Sequence, residues 1–132
     1  MNLTREEALK YHRQMWTDMQ KALGETGTGE YDCRYADDKL AYARNSFKLD
    51  WCEEHFPNVV ILSNCFLCEY AWQKQVECTW QTGEEACRCI HCPIKWHKWN
   101  IDFACECNDE GAVRWNSSPI SQIIALPERS CE

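Results

Sequence analysis

Two cysteine pairs, Cys65-Phe66-Leu67-Cys68 and Cys89-Ile90-His91-Cys92, each hold two residues between their sulfurs and stand 20 residues apart. A C-x2-C pair can grip one ion from a single turn, and two such pairs close a tetrahedral four-sulfur shell that leaves no position for water or substrate. The expected ion is Zn2+, and its expected role is to organise the fold. A structural zinc contributes on the order of 10 kcal/mol to folding, comparable to the whole stability of a small domain.

Eight of the eleven cysteines fall between Cys65 and Cys107, too dense a group to be explained as scattered buried thiols. Cys65, Cys68, Cys89 and Cys92 are the expected ligands of one zinc. Cys78, Cys87, Cys105 and Cys107 form a candidate second site, so the chain is expected to hold one zinc, or two. The spacing leaves open how the sulfurs divide, because C-x-C is a less regular chelate. His91 and His97 are alternative donors, while Cys33, Cys52 and Cys131 lie outside the cluster and read as isolated thiols.

The first residues, Met1-Asn2-Leu3-Thr4-Arg5-Glu6-Glu7, contain no apolar targeting core, which sets the expectation of a reducing cytoplasm where clustered thiols hold metal. No apolar run approaches the length of a membrane span. Acidic residues number 21 against 14 basic ones, for a net charge of −7, and such a surface repels phosphate backbones and attracts basic partners.

The periodicity divides the chain near Pro57. Thr4 with Glu7 makes a capping box, and Ala8, Tyr11, Met15, Trp16, Met19, Ala22 and Leu23 draw an apolar stripe that Gly24, Gly27 and Gly29 end. A second stripe, Ala36, Leu40, Ala43, Phe47 and Trp51, predicts a helix from about Asp32 to Glu54. Two such helices pack as an antiparallel hairpin over residues 1–57. Residues 58–132 are expected to form the cysteine-rich zinc module. It would contain a buried strand at Val59–Leu62, a short helix over 66–75, and loops and short strands over 76–114. A closing helix is capped by Ser118, starts at Pro119, and carries Ile120, Ile123, Ile124 and Leu126. The expected class is α+β.

Catalysis finds no support in these motifs. An open zinc site needs a neighbouring general base, as in H-E-x-x-H or H-x-E with P-C-x-x-C, and neither pattern occurs; nor does a phosphate loop or G-x-S-x-G. The chain is therefore read as non-enzymatic. The stretch Arg88 to Trp99 has three cations, two histidines and two tryptophans and no acid, so a zinc-stabilised nucleic-acid binder is the alternative reading. The acidic positions Asp37, Asp38, Glu53 and Glu54, with Asp32, Asp50, Glu84 and Glu85, are the candidate contacts for a basic protein.

His12-Arg13-Gln14-Met15-Trp16, Glu54-His55-Phe56-Pro57, Cys65-Phe66-Leu67-Cys68-Glu69-Tyr70-Ala71, Cys92-Pro93-Ile94-Lys95-Trp96 and Ile120 to Arg129 together resemble small cysteine-rich proteins of Firmicutes phages and mobile elements. In size, acidity and metal content the chain is similar to anti-CRISPR inhibitors of the type II effector nuclease. The resemblance implies a non-catalytic protein that binds that basic, guide-loaded nuclease in the bacterial host and obstructs loading of target DNA. The cysteines after Cys92 depart from the simplest form of the pattern.

Overall fold

The computed structural model describes residues 2–25, 36–61, 65–82, 91–96, 113–115 and 118–128; the side chains of 36–41 and 78–82 lie outside that description. Among the described residues the chain forms four helices, α1 (Arg5–Leu23), α2 (Ala36–His55), α3 (Phe66–Thr82) and α4 (Ile120–Ile124). The α+β expectation is therefore corrected. The described residues form a mostly helical assembly whose β pairing is one isolated antiparallel bridge, Ile94 to Glu128.

α1 starts where the capping box places it. Thr4 Oγ1 accepts the Glu7 amide at 3.1 Å, and the Glu7 carboxylate accepts the Thr4 amide at 3.1 Å. The helix ends at Gly24, whose φ of +81° is the left-handed region open to glycine, and whose amide reaches Gln20 O. Ala8, Leu9, His12, Met15, Trp16 and Met19 are buried on it. This helix touches each of the other three and stands at the centre of the described assembly.

α2 runs antiparallel to α1, with Trp16 near Arg44 and Lys48 and Tyr11 near Phe56. Trp51 Nε1–H donates to Asp18 Oδ2 at 2.9 Å, giving the buried indole its required acceptor. Tyr11, Phe56 and Phe66 meet at centroid distances of 5.0 to 5.6 Å, and Trp51 meets Phe66 edge-on at 5.6 Å. These rings join α1, α2 and the start of α3. Core residues come from both sides of Pro57, from Leu3 to Cys52 on one and from Ile61 to Ile123 on the other.

Three local expectations are revised. Val59–Leu62 is not a buried strand over its described part: the Val59 amide bonds Phe56 O across a turn carrying Asn58 at φ +66°, and Val60 is 91% exposed. Its backbone is used in the turn, and only Ile61 goes inside. α3 continues to Thr82 rather than stopping near Gln75, because no proline or glycine intervenes before Gly83. Of 76–114, residues 76–82 are thus helical, and 83–90 and 97–112 lie outside the described residues.

α4 is capped from a distance. Pro119 stands at its N-cap and makes no side-chain cap. Ser118 Oγ instead accepts the Arg114 amide, while the amides of Ile120 and Ser121 donate to the carbonyl and carboxylate of Glu25 just beyond α1. Gln73 on α3 likewise clasps Leu3, accepting its amide at 3.0 Å and donating to its carbonyl at 3.1 Å.

His12 is a polar member of this core. It is 1% exposed and neither ring nitrogen finds a hydrogen-bond partner among the described residues. Burial first, then Lys48 and Arg13, lower its pKa from 6.5 to about 3. Between those values the unfolded chain binds the proton and the folded chain refuses it, so stability falls as pH falls through that window, by ~1.4 kcal/mol per pH unit for this group. His12→Leu should remove that share of the slope: its urea midpoint should drop less between pH 7 and pH 4 than the wild-type midpoint. Equal drops would contradict the assignment.

Candidate metal centre

Cys65 occupies the N-cap position of α3, and its carbonyl accepts the Glu69 amide at 3.1 Å, the first bond of the helix. A serine or aspartate at this position would turn its oxygen toward the open amides of the first turn. Here the sulfur does so. It accepts the S–H of Cys68, the strongest influence, and the backbone N–H groups of Cys68 and Leu67, which together with Lys48 hold the thiol well below its usual range against the opposing effect of burial. Cys68 sits one turn along, so both sulfurs of the first C-x2-C pair face one spot at a helix N-terminus, where negative charge is favoured.

That geometry suits half of a zinc shell, because the metal binds thiolates and one thiolate is already stabilised by fixed donors. Of the second pair, Cys92 is buried in the common core and opens the segment Cys92–Trp96, in which Pro93 and Ile94 are fully enclosed. Among the described residues no three His, Cys, Asp or Glu side chains gather at metal-binding spacing. Cys65, Cys68 and Cys92 are all described, and the structure does not bring the three together at that spacing. Cys89, Cys87, Cys105, Cys107 and His97 lie outside the described residues, as does the side chain of Cys78.

Two groups near this half-site escaped the sequence reading. Cys52, expected as an isolated thiol, is buried in the core, and burial pushes it up to about 11, with Lys48 opposing and Cys65 adding to the rise. Lys48 is 5% exposed, its ammonium 4.5 Å from the Trp115 ring centre and 6.0 Å from that of Trp16. Arg44, also on α2, is fully buried and donates to the carbonyls of Trp115 and Ser118 at 2.8 and 2.6 Å. The signal was a second spacing of four, Arg44, Lys48 and Cys52, running beside the Ala43, Phe47 and Trp51 stripe.

With Arg44 and Lys48 turned inward, the described part of α2 presents a different face to solvent. Asp50, Glu53 and Glu54 are exposed, and Tyr42 and Leu49 stand out among them at 67% and 54% exposure. Asp37 and Asp38 belong to the first turn of α2, with side chains outside the described residues. In the basic stretch, Trp96 is buried with its ring edge-on to His12 at 6.1 Å, so this ring is closed to a stacking base, and Lys95 is exposed. No helix among the described residues is long and apolar enough to cross a membrane.

The chain matches no known family model, no curated protein and no solved structure.

The opposed environments of Cys65 and Cys52 make a directional test. In reduced protein at pH 7, in the interval after a chelator strips any metal and before the fold relaxes, iodoacetamide should modify Cys65 well before Cys52, because only the thiolate attacks and Cys52 is both buried and protonated. Peptide mapping that finds Cys52 modified first would contradict the geometry.

Proposed function

We propose that this chain is a non-catalytic, zinc-stabilised binding protein that engages a basic protein surface through the outer face of α2. The observation that carries the reading is the sorting of charge on that helix: Arg44 and Lys48 point into the core, and Asp50, Glu53 and Glu54 point out. A helix with these two cations buried presents its carboxylates outward as an anionic ridge, and exposed rings and aliphatic side chains within such a ridge supply the desolvated contacts that charge alone does not. The net charge of −7 extends the attraction and speeds encounter with a cationic partner.

Zinc enters as scaffold. Cys65 and Cys68 would hold it from the first turn of α3, with Cys89 and Cys92 completing the shell, and the bound ion would fix the packing of the cysteine-rich half against α1. The resemblance noted above directs the choice of partner to the type II RNA-guided nuclease, whose channel for DNA is basic, and the expected outcome of binding is obstruction of DNA loading in the bacterial host.

The test is binding to the guide-loaded nuclease across a salt series. Charge reversal at Asp37, Asp38, Glu53 and Glu54 to lysine should weaken affinity at least ~30-fold, about 2 kcal/mol, while leaving zinc content unchanged. Cys65→Ser combined with Cys92→Ser should lose zinc and binding together. Unaltered affinity in the charge-reversed protein would remove the α2 face from the interface. Salt-dependent binding of the isolated protein to DNA or RNA would favour the nucleic-acid reading instead.

A further inference from the structure

The exposed side chains of α2 are ordered along the helix, and their order selects a partner of one shape. Tyr42, Ser46, Leu49 and Glu53 are all exposed and recur at steps of four, three and four, so they lie on one line. Asn45 flanks that line on one side, and Asp50 and Glu54 flank it on the other. Tyr42 and Leu49 stand two turns, about 10 Å, apart. Two large apolar side chains turned to solvent at that interval match the spacing at which one helix anchors another.

The carboxylates beside them are uncommitted. Glu128 pairs with Arg5 and Arg13, and Glu77 with Lys74, whereas Asp50, Glu53 and Glu54 make no ion pair with a described cation. No lysine or arginine is among the exposed described side chains of α2, so a second copy of this face brings no such cation to meet these acids. They also gather toward the C-terminal end of the helix, where the helix dipole adds negative charge of its own. The complement of this face is therefore cationic.

We infer that the outer face of α2 receives a basic amphipathic α-helix of its partner, whose apolar side chains seat against Tyr42 and Leu49 and whose Lys or Arg side chains lie over Asp50, Glu53 and Glu54. The inference rests on the reading that this face meets a basic protein, and it narrows that reading to a helical segment. An unstructured basic tail would satisfy the carboxylates and leave Tyr42 and Leu49 in water. Charge brings the helix in, and the two apolar contacts retain it.

Fluorescence anisotropy of the full, reduced chain with two labelled peptides of identical composition tests this. One peptide, about three heptads long with capped termini, carries leucine at a and d and arginine at e and g; the other has its leucines scattered off the seam. The seamed peptide should bind at least about 10-fold more tightly. Tyr42→Ser and Leu49→Ser should each weaken the seamed peptide roughly 5- to 30-fold and leave the scattered one unchanged. Asp50→Asn combined with Glu53→Gln and Glu54→Gln should weaken both peptides and flatten their salt dependence.

Equal affinity of wild-type protein for the two peptides would overturn the helical partner and leave the charge reading standing; this comparison needs no variant to fold. Failure of both peptides to bind a chain that loses the guide-loaded nuclease on charge reversal would have the same meaning. Charge-reversed protein that keeps its affinity for the nuclease would instead remove the parent reading. Dimerisation of the wild type that Leu49→Ser abolishes would place a second copy on the face and overturn the proposal.

Discussion

The inward rotation of Arg44 and Lys48 on α2 is the constraint from which the rest of the arrangement follows. Cations are seldom buried, and here two of them sit one turn apart against Trp16 and Trp115 and against main-chain carbonyls of the segment leading to α4. Arg44 satisfies the carbonyls of Trp115 and Ser118 and so holds that segment in place. Burial lowers it to about 10, with Glu25 opposing, and it remains charged at neutral pH. Because Arg44 and Lys48 of α2 go to the interior, its described outer face is left to Asp50, Glu53 and Glu54. Anionic face and cationic interior are two sides of one helical phase.

α1 makes that phase possible. Its buried stripe supplies Trp16 as the surface under both cations, Tyr11 as the contact to Phe56 and Phe66, and Asp18 as the acceptor for Trp51. The chain around it is tied by contacts distant in sequence: Gln73 to Leu3, Glu25 to Ser121, and Arg5 and Arg13 to Glu128. The two exposed ion pairs to Glu128 contribute little each. The Gln73 clasp and the Glu25 cap satisfy main-chain groups that would otherwise lack partners, and that gives them more weight.

Local patterns revealed some of this and concealed the rest for identifiable reasons. Thr4 and Glu7 announce α1 because a capping box is a short-range device, readable from four consecutive residues. The helix at Cys65 was visible, but its length was not, since the lack of a breaker in Val76 to Thr82 permits a helix without requiring one. The strand at Val59–Leu62 failed because β-branched residues make a strand only beside another edge, and no such edge stands there among the described residues. Ser118 looked like a cap, yet Glu25 performs that task, and no local pattern reports a partner 96 residues away. At the site, Cys65 and Cys68 stand at the head of α3, and Cys92 does not join them in a three-ligand group among the described residues. Lys48 and Cys52 were hidden because a lysine is read as solvent-facing by default, and only the four-residue spacing with Arg44 hinted otherwise.

The proposed scaffold would depend on cysteine sulfurs sharing one metal ion at the head of α3. Zinc K-edge X-ray absorption on protein purified under reducing conditions reads that environment directly. The account predicts a first shell of four sulfurs at about 2.3 Å. A shell dominated by nitrogen and oxygen, or metal-free protein that retains its full helical signal, would contradict it.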